Sequence, residues 1–241
     1  MARRGRGAYN LGLGAALNGA KTLDRRIFFT GLGIAALAAL PGAALAAAKA
    51  PVKLAKVYPY LDAFLKLPAA QRSRFHPAYY LTIAGKPAAG LHAFTIDGTV
   101  RTPVVIEADG RLPHLPTLAQ LQGSTMFQAD LPAETKIGIR LEIQATMAPA
   151  AQLDCHELSL AITQAGDAVK AIAGPMAFAA PKITVAAFPG AVGGAALLPD
   201  NRRYPLAVGK FGPFYDPSKA PGATKVSLTH APSRILLDSP G

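Results

Sequence analysis

Apolar residues along this chain recur at two spacings, and the switching between them divides it into helices and short strands. Leu54, Val57, Leu61 and Phe64 step by three, four and three, which places them on one face of a helix predicted over residues 54–67. Pro68 suits the first turn of a shorter helix over residues 69–74. Beyond it the period drops to two. Tyr79, Leu81 and Ile83 alternate with Tyr80 and Thr82, and residues 91–96 run into Asp97-Gly98, a dipeptide suited to a tight hairpin whose return strand is residues 100–106. Asp109-Gly110 marks another turn, and residues 126–129 form a further strand. The clearest strand is residues 136–144. Ile137, Ile139, Leu141 and Ile143 face one way, and Lys136, Gly138, Arg140, Glu142 and Gln144 face the other, as expected for one face on a core and one in water.

Residues 147–152, with Pro149 and three alanines, read as a linker to the best helix in the chain. There Leu158, Ile162, Ala165, Val169, Ile172 and Met176 form an apolar seam, and Gly174-Pro175 punctuates its end. Gly166 interrupts the seam at a cost of about 1 kcal/mol relative to alanine. Shorter strands are predicted over residues 183–188, 195–198, 204–208, 225–229 and 234–237.

The two strand regions echo one another. Asp97, Thr102-Pro103-Val104, Asp109-Gly110, Leu115-Pro116, Gly123, Leu131-Pro132 and Lys136-Ile137 run in order in the first. Asp200, Tyr204-Pro205-Leu206, Phe211-Gly212, Asp216-Pro217, Gly222, Ala231-Pro232 and Arg234-Ile235 follow the same order in the second, and a helix precedes each. The expected fold is therefore α+β and strand-rich. It consists of two internally repeated units, residues 47–148 and 149–241, each a helix followed by short antiparallel strands in a sandwich-like, pseudo-twofold arrangement.

Residues 1–46 have a different character. Arg3, Arg4, Arg6, Lys21, Arg25 and Arg26 precede an apolar run over residues 27–48, and Ala44-Leu45-Ala46 ends it with a small-residue cleavage pattern. The most apolar part, residues 28–40, is shorter than the roughly 20 residues a membrane span needs. This order reads as a cleaved signal peptide; the alternative is an uncleaved leader anchoring the chain in the inner membrane. Asp24-Arg25-Arg26-Ile27-Phe28-Phe29-Thr30 resembles the twin-arginine export motif, with Phe28 and Phe29 as its hydrophobic pair. Asp24 stands where Ser or Thr is usual and Thr30 where Lys is common. The resemblance implies folding before export to the periplasm, with the export machinery and signal peptidase as partners; the general secretory route is the alternative.

Composition changes this picture in three ways. The leader holds six of the 25 Lys/Arg and one of the 14 Asp/Glu, so the net charge of +11 falls to +6 in the remaining chain. Ordinary solubility explains that value as well as contact with anionic lipid or glycan does. Cys155 is the only cysteine, so no intramolecular disulfide forms and stability must come from the core. Trp is absent and aromatics make up 7%, which argues against a sugar-stacking platform and a single-stranded nucleic-acid channel.

The search for chemistry finds no serine nucleophile elbow, no phosphate-binding or dinucleotide glycine fingerprint, and no paired metal-ligand spacing. Asp154-Cys155-His156-Glu157 is the densest reactive cluster, but consecutive helix residues point about 100° apart and cannot converge on one ion. It reads as a helix start, with Asp154 as N-cap and Glu157 completing a capping box. His76, His92, His114, His156 and His230 show no ligand spacing, although His92 and His114 could meet in space. Arg72 and Arg74 near the first helix, with Arg202 and Arg203 in the second unit, are the candidate anion contacts, supplemented by Lys66 and Lys210. Asp62 paired with Asp154 is a two-carboxylate option across the pseudo-twofold. The expectation is a periplasmic, non-catalytic binding or interaction module with no cofactor, no metal and no nucleic-acid partner. An envelope protein, glycan or lipid is its candidate partner. The alternatives are an exported hydrolase with its site between the units, and a peripheral envelope protein docking on anionic lipid or glycan.

Overall fold

The computed structural model describes residues 49–240, in which short antiparallel strands outnumber the helices. The leader, with Arg25, Arg26, Phe28, Phe29, Ala44 and Ala46, lies outside the described residues. In chain order, β1 (Val52–Lys53) feeds two short helices, α1 (Leu54–Val57) and α2 (Leu61–Lys66), and a 3-10 turn, Ala69–Gln71. Next come β2 (Phe75–Ile83), β3 (Lys86–Pro87), β4 (Ala93–Asp97) and β5 (Val100–Pro103). Helix α3 (Leu118–Gln122) precedes β6 (Met126–Ala129) and β7 (Ile137–Ala145). β8 (Gln152–Asp154) leads into the long helix α4 (Cys155–Ala173) and a second 3-10 turn, Gly174–Ala179. Then follow β9 (Val185–Ala187), β10 (Gly194–Leu197), β11 (Arg203–Pro205) and β12 (Ala207–Gly209). The last three strands are β13 (Gly212–Tyr215), β14 (Lys225–Leu228) and β15 (Leu236–Asp238).

The result is strand-rich, with few helices. One sheet has the order β1-β6-β4-β5 and a second β11-β10-β14-β8. The third, β12-β13-β9-β15-β7-β2-β3, draws strands from both sides of residue 148 and joins them where Leu236 of β15 lies opposite Gln144 of β7. Its backbone is the long β2–β7 pair, in register from Phe75↔Ala145 to Ile83↔Ile137.

Helices cover one face of this sheet. Leu54, Val57, Leu61 and Phe64 are all buried, so the predicted face is the real one. Tyr58 packs edge-on against Tyr79 of β2 with ring centroids 5.0 Å apart, and Phe64 against Phe75 at 5.5 Å. From the other half of the chain, α4 adds Leu158, Ala161, Ile162, Ala165 and Ala168 to the same core.

Several expectations change. The single helix over residues 54–67 is two, because Pro59 cannot donate a helical hydrogen bond and Tyr60 sits in the left-handed region at φ 65°. The Pro59 carbonyl instead accepts the Tyr79 hydroxyl at 2.8 Å. The seam of α4 stops at Gly174, so Met176 leaves it and is 59% exposed. Glu142 and Gln144, expected in water, are 6% and 4% exposed, because neighbouring side chains cover the second face of the sheet here. Finally, α3, β1, β3, β8 and β13 have no counterpart among the predicted elements, and the strand predicted over residues 204–208 is two, β11 and β12, in different sheets. The sequence did carry a signal for α3: Thr117 and Gln120 form a capping box, the Thr117 hydroxyl accepting from the Gln120 N–H at 3.3 Å.

Candidate functional site

The helical period that buries one side of α4 also prepares a second stripe beside it. Glu157, Leu160, Gln164, Asp167 and Ala171 step by three and four, and with Thr163 they line the α4 side of a surface groove. The opposite wall is the turn over residues 70–74 that leads into β2. The groove has two adjoining parts of about 530 and 380 Å³ that share Arg74. It thus lies between a segment of the first half of the chain and the long helix of the second.

Gln164 ties the walls together. Its Oε1 accepts the Arg74 backbone N–H at 2.8 Å, and its Nε2 donates to the Ala70 carbonyl at 2.7 Å and to Ser73 Oγ at 3.3 Å. The Arg74 guanidinium is ion-paired with Glu157, and Asp167 with Lys170 at 3.3 Å. The Thr146 hydroxyl donates to the Ser73 carbonyl at 3.1 Å and its N–H to the Arg74 carbonyl at 3.0 Å. What the groove offers a ligand is an amide, hydroxyls and two self-compensated ion pairs over an apolar strip of Leu160, Ala168 and Ala171.

The residues singled out from sequence meet different fates. Arg74 enters the groove, whereas Arg72 donates to the Leu67 carbonyl at 3.0 Å and lies over the Phe64 ring. Arg202 pairs with Asp200 and holds that carboxyl below its ordinary value. Arg203 is exposed on the edge strand β11. Asp154 is the N-cap of α4, accepting the Glu157 N–H at 3.0 Å, but the Glu157 carboxylate goes to Arg74 instead of closing a capping box. Asp62 pairs with Lys66 along α2. Cys155 is buried, and burial pushes its thiol pKa up. Among the described residues no three His, Cys, Asp or Glu side chains gather as metal ligands would.

A second cluster, missed in the sequence because its members are far apart, occupies the sheet face opposite the helices. Glu142 accepts two hydrogen bonds from Arg234, at 2.8 and 3.0 Å, and one from Gln144 at 2.8 Å. Arg140 approaches it at 3.1 Å and lies over the Tyr80 ring, whose hydroxyl accepts from Gln144 at 2.9 Å. Every buried polar side-chain atom among the described residues has a partner. Burial and the neighbouring Arg111 hold the His76 pKa below its ordinary 6.5, against a hydrogen bond with Gln144 that raises it. The unfolded chain then binds more protons than the folded one below pH 6.5, so this residue's contribution to stability falls as the pH drops through that value. Urea melts between pH 7.5 and 5 should show this decline in the wild type and a flatter profile in His76→Gln; identical profiles would contradict the shift.

Comparison with known proteins finds no matching family model, no matching curated protein and no matching solved structure.

Proposed function

We propose that the protein is an exported, periplasmic, non-catalytic binding or interaction module, whose chain is an internal duplication about a pseudo-twofold axis. The duplication draws support from the two four-stranded sheets. Matching strands in chain order, β1 with β8, β4 with β10, β5 with β11 and β6 with β14, makes their orders the same. Hydrogen bonds repeat as well. Leu54 N–H to the Thr125 carbonyl matches Cys155 N–H to Thr224, both at 3.0 Å, and Val104 N–H to Ala93 matches Leu206 N–H to Gly194, at 2.8 and 3.0 Å. Gly110 and Gly212, aligned in the sequence, both take positive φ and both approach a backbone carbonyl, that of Leu81 in β2 or of Phe188 just after β9.

The groove carries the functional reading. It lies where the proposed units meet, and its charged groups are already paired, so they are poor proton-transfer groups but adequate hydrogen-bonding partners for a polar ligand. Export rests on the leader. The test is native mass spectrometry on protein from the periplasmic fraction of its host, for the wild type and for Thr163→Trp, which fills the groove from an exposed helix position. A mass beginning near Ala47 with a reproducible excess that Thr163→Trp removes is the expected result. A retained leader would overturn cleavage. Turnover by the purified protein that disappears in Thr163→Trp would overturn the non-catalytic assignment.

A further inference from the structure

The segment after α4 carries Phe178, the most exposed large apolar side chain among the described residues. Gly174 takes a positive φ of 53° and ends the helix, and the 3-10 turn that follows carries Met176 and Phe178, which are 59% and 83% exposed. No charged residue occurs between Lys170 and Lys182, and no acidic one between Asp167 and Asp200. Residues 171–181 are thus an apolar stretch with a lysine at each end. Exposing this much contiguous apolar surface is unfavourable in water unless something covers it.

The path of the chain makes this stretch a projection. Ile183 is back in the core, and its carbonyl lies 3.4 Å from where a Cβ on Gly166 would stand. The returning chain therefore lies beside Gly166, whereas the helix continues seven residues further, to Ala173. At 1.5 Å per residue the end of the helix, where the turn begins, lies about 10 Å beyond the point of return, measured along the helix axis.

We infer that the turn Gly174–Ala179 is a membrane-docking knob that inserts Met176 and Phe178 into the interface of a bilayer containing anionic lipid, with Lys170 and Lys182 meeting the headgroups. An aromatic and a flexible thioether at the tip of a projection match the depth of about 5–10 Å reached by interfacial segments. The flanking lysines complement a negative surface and have no acidic neighbour in sequence except Asp167, which is itself exposed and paired with Lys170. Among the described residues no helix is long and apolar enough to cross a membrane. This inference goes beyond the proposed binding role; with the groove it shares only Ala171 and the Asp167–Lys170 ion pair.

The absence of tryptophan makes the test specific to the site. Phe178→Trp places a single indole on the knob of the full-length protein, and Val208→Trp places one at an exposed control position on β12. Each is mixed with vesicles of phosphatidylcholine alone or with phosphatidylglycerol added, near physiological salt. The expected result is a blue shift and quenching by brominated lipid for Phe178→Trp and neither for Val208→Trp. In otherwise wild-type protein, Phe178→Ser should weaken vesicle binding about tenfold, and replacing both lysines with glutamine should weaken binding to the anionic vesicles by a similar factor. An indole at position 178 that stays in water while the protein sediments with vesicles would overturn the inference. So would a blue shift that grows with protein concentration in the absence of lipid, since the knob would then contact a second copy of the chain.

Discussion

Arg234→Met should lower the unfolding free energy by about 3 kcal/mol, because it leaves a buried carboxylate with half its partners. Glu142 is 6% exposed and receives two of its hydrogen bonds from the Arg234 guanidinium. Arg140 and Gln144 remain, but the Arg140 side chain is about half exposed and loses little by turning to water. For a domain of this size the change corresponds to a fall in melting temperature of roughly 6–12 °C. Adding Glu142→Leu to the same chain should recover most of it, since the charge that lacked a partner is then gone. Thermal melts of the two single variants and the double variant decide the matter. If Arg234→Met costs less than about 1 kcal/mol, Arg140 and water suffice for Glu142 and the pair does not hold β7 to the segment before β15.

Gly110→Ala should cost a similar amount for a different reason. Gly110 has φ 85°, where a side chain is strained by about 1–2 kcal/mol. An added Cβ would also stand 2.4 Å from the Leu81 carbonyl oxygen, which already accepts the Ala88 N–H at 3.0 Å. That oxygen belongs to the backbone and cannot turn aside, so strain and clash together should reach about 3 kcal/mol. Gly212→Ala meets the Phe188 oxygen at 3.0 Å and should cost less, whereas Gly222→Ala, at φ 78° with nothing within 4 Å, should show the conformational strain alone. Chemical denaturation of the three variants should rank them in that order. Equal losses at all three would mean that the close approach to the carbonyls contributes nothing.

The proposed correspondence of Gly110 with Gly212 rests on a local sequence signal, since each sits seven residues after a proline. Similar local rules made much of the fold legible. A strand of strict alternation became β7, a seam at helical spacing became α4, and Asp97-Gly98 became the hairpin between β4 and β5. The breaks in these rules were legible less often. Pro59 splits a helix whose apolar face is otherwise continuous, and the short strand β13 carries no alternation strong enough to mark it. Arg74 reads from sequence as a candidate anion contact, but its place beside Glu157 and Gln164 depends on α4 packing across the turn that precedes β2.

What the sequence determined by itself is therefore local: which segments are helical or extended, which face of each is apolar, where Gly and Pro end them, and that no familiar catalytic spacing links neighbouring residues. These follow from backbone sterics and from side-chain periodicity, which act within a few residues. The tertiary structure decided how the strands assort into three sheets, why Glu142 is buried instead of solvated, where the groove along α4 opens, and that Met176 projects instead of completing a seam. Each of these depends on groups separated by tens of residues in the chain, such as Glu142 and Arg234 or Arg74 and Gln164. Burial and ion pairing are set by what lies across the space between elements, and the hydrophobic pattern of one element holds no record of the side chains that another will bring to it.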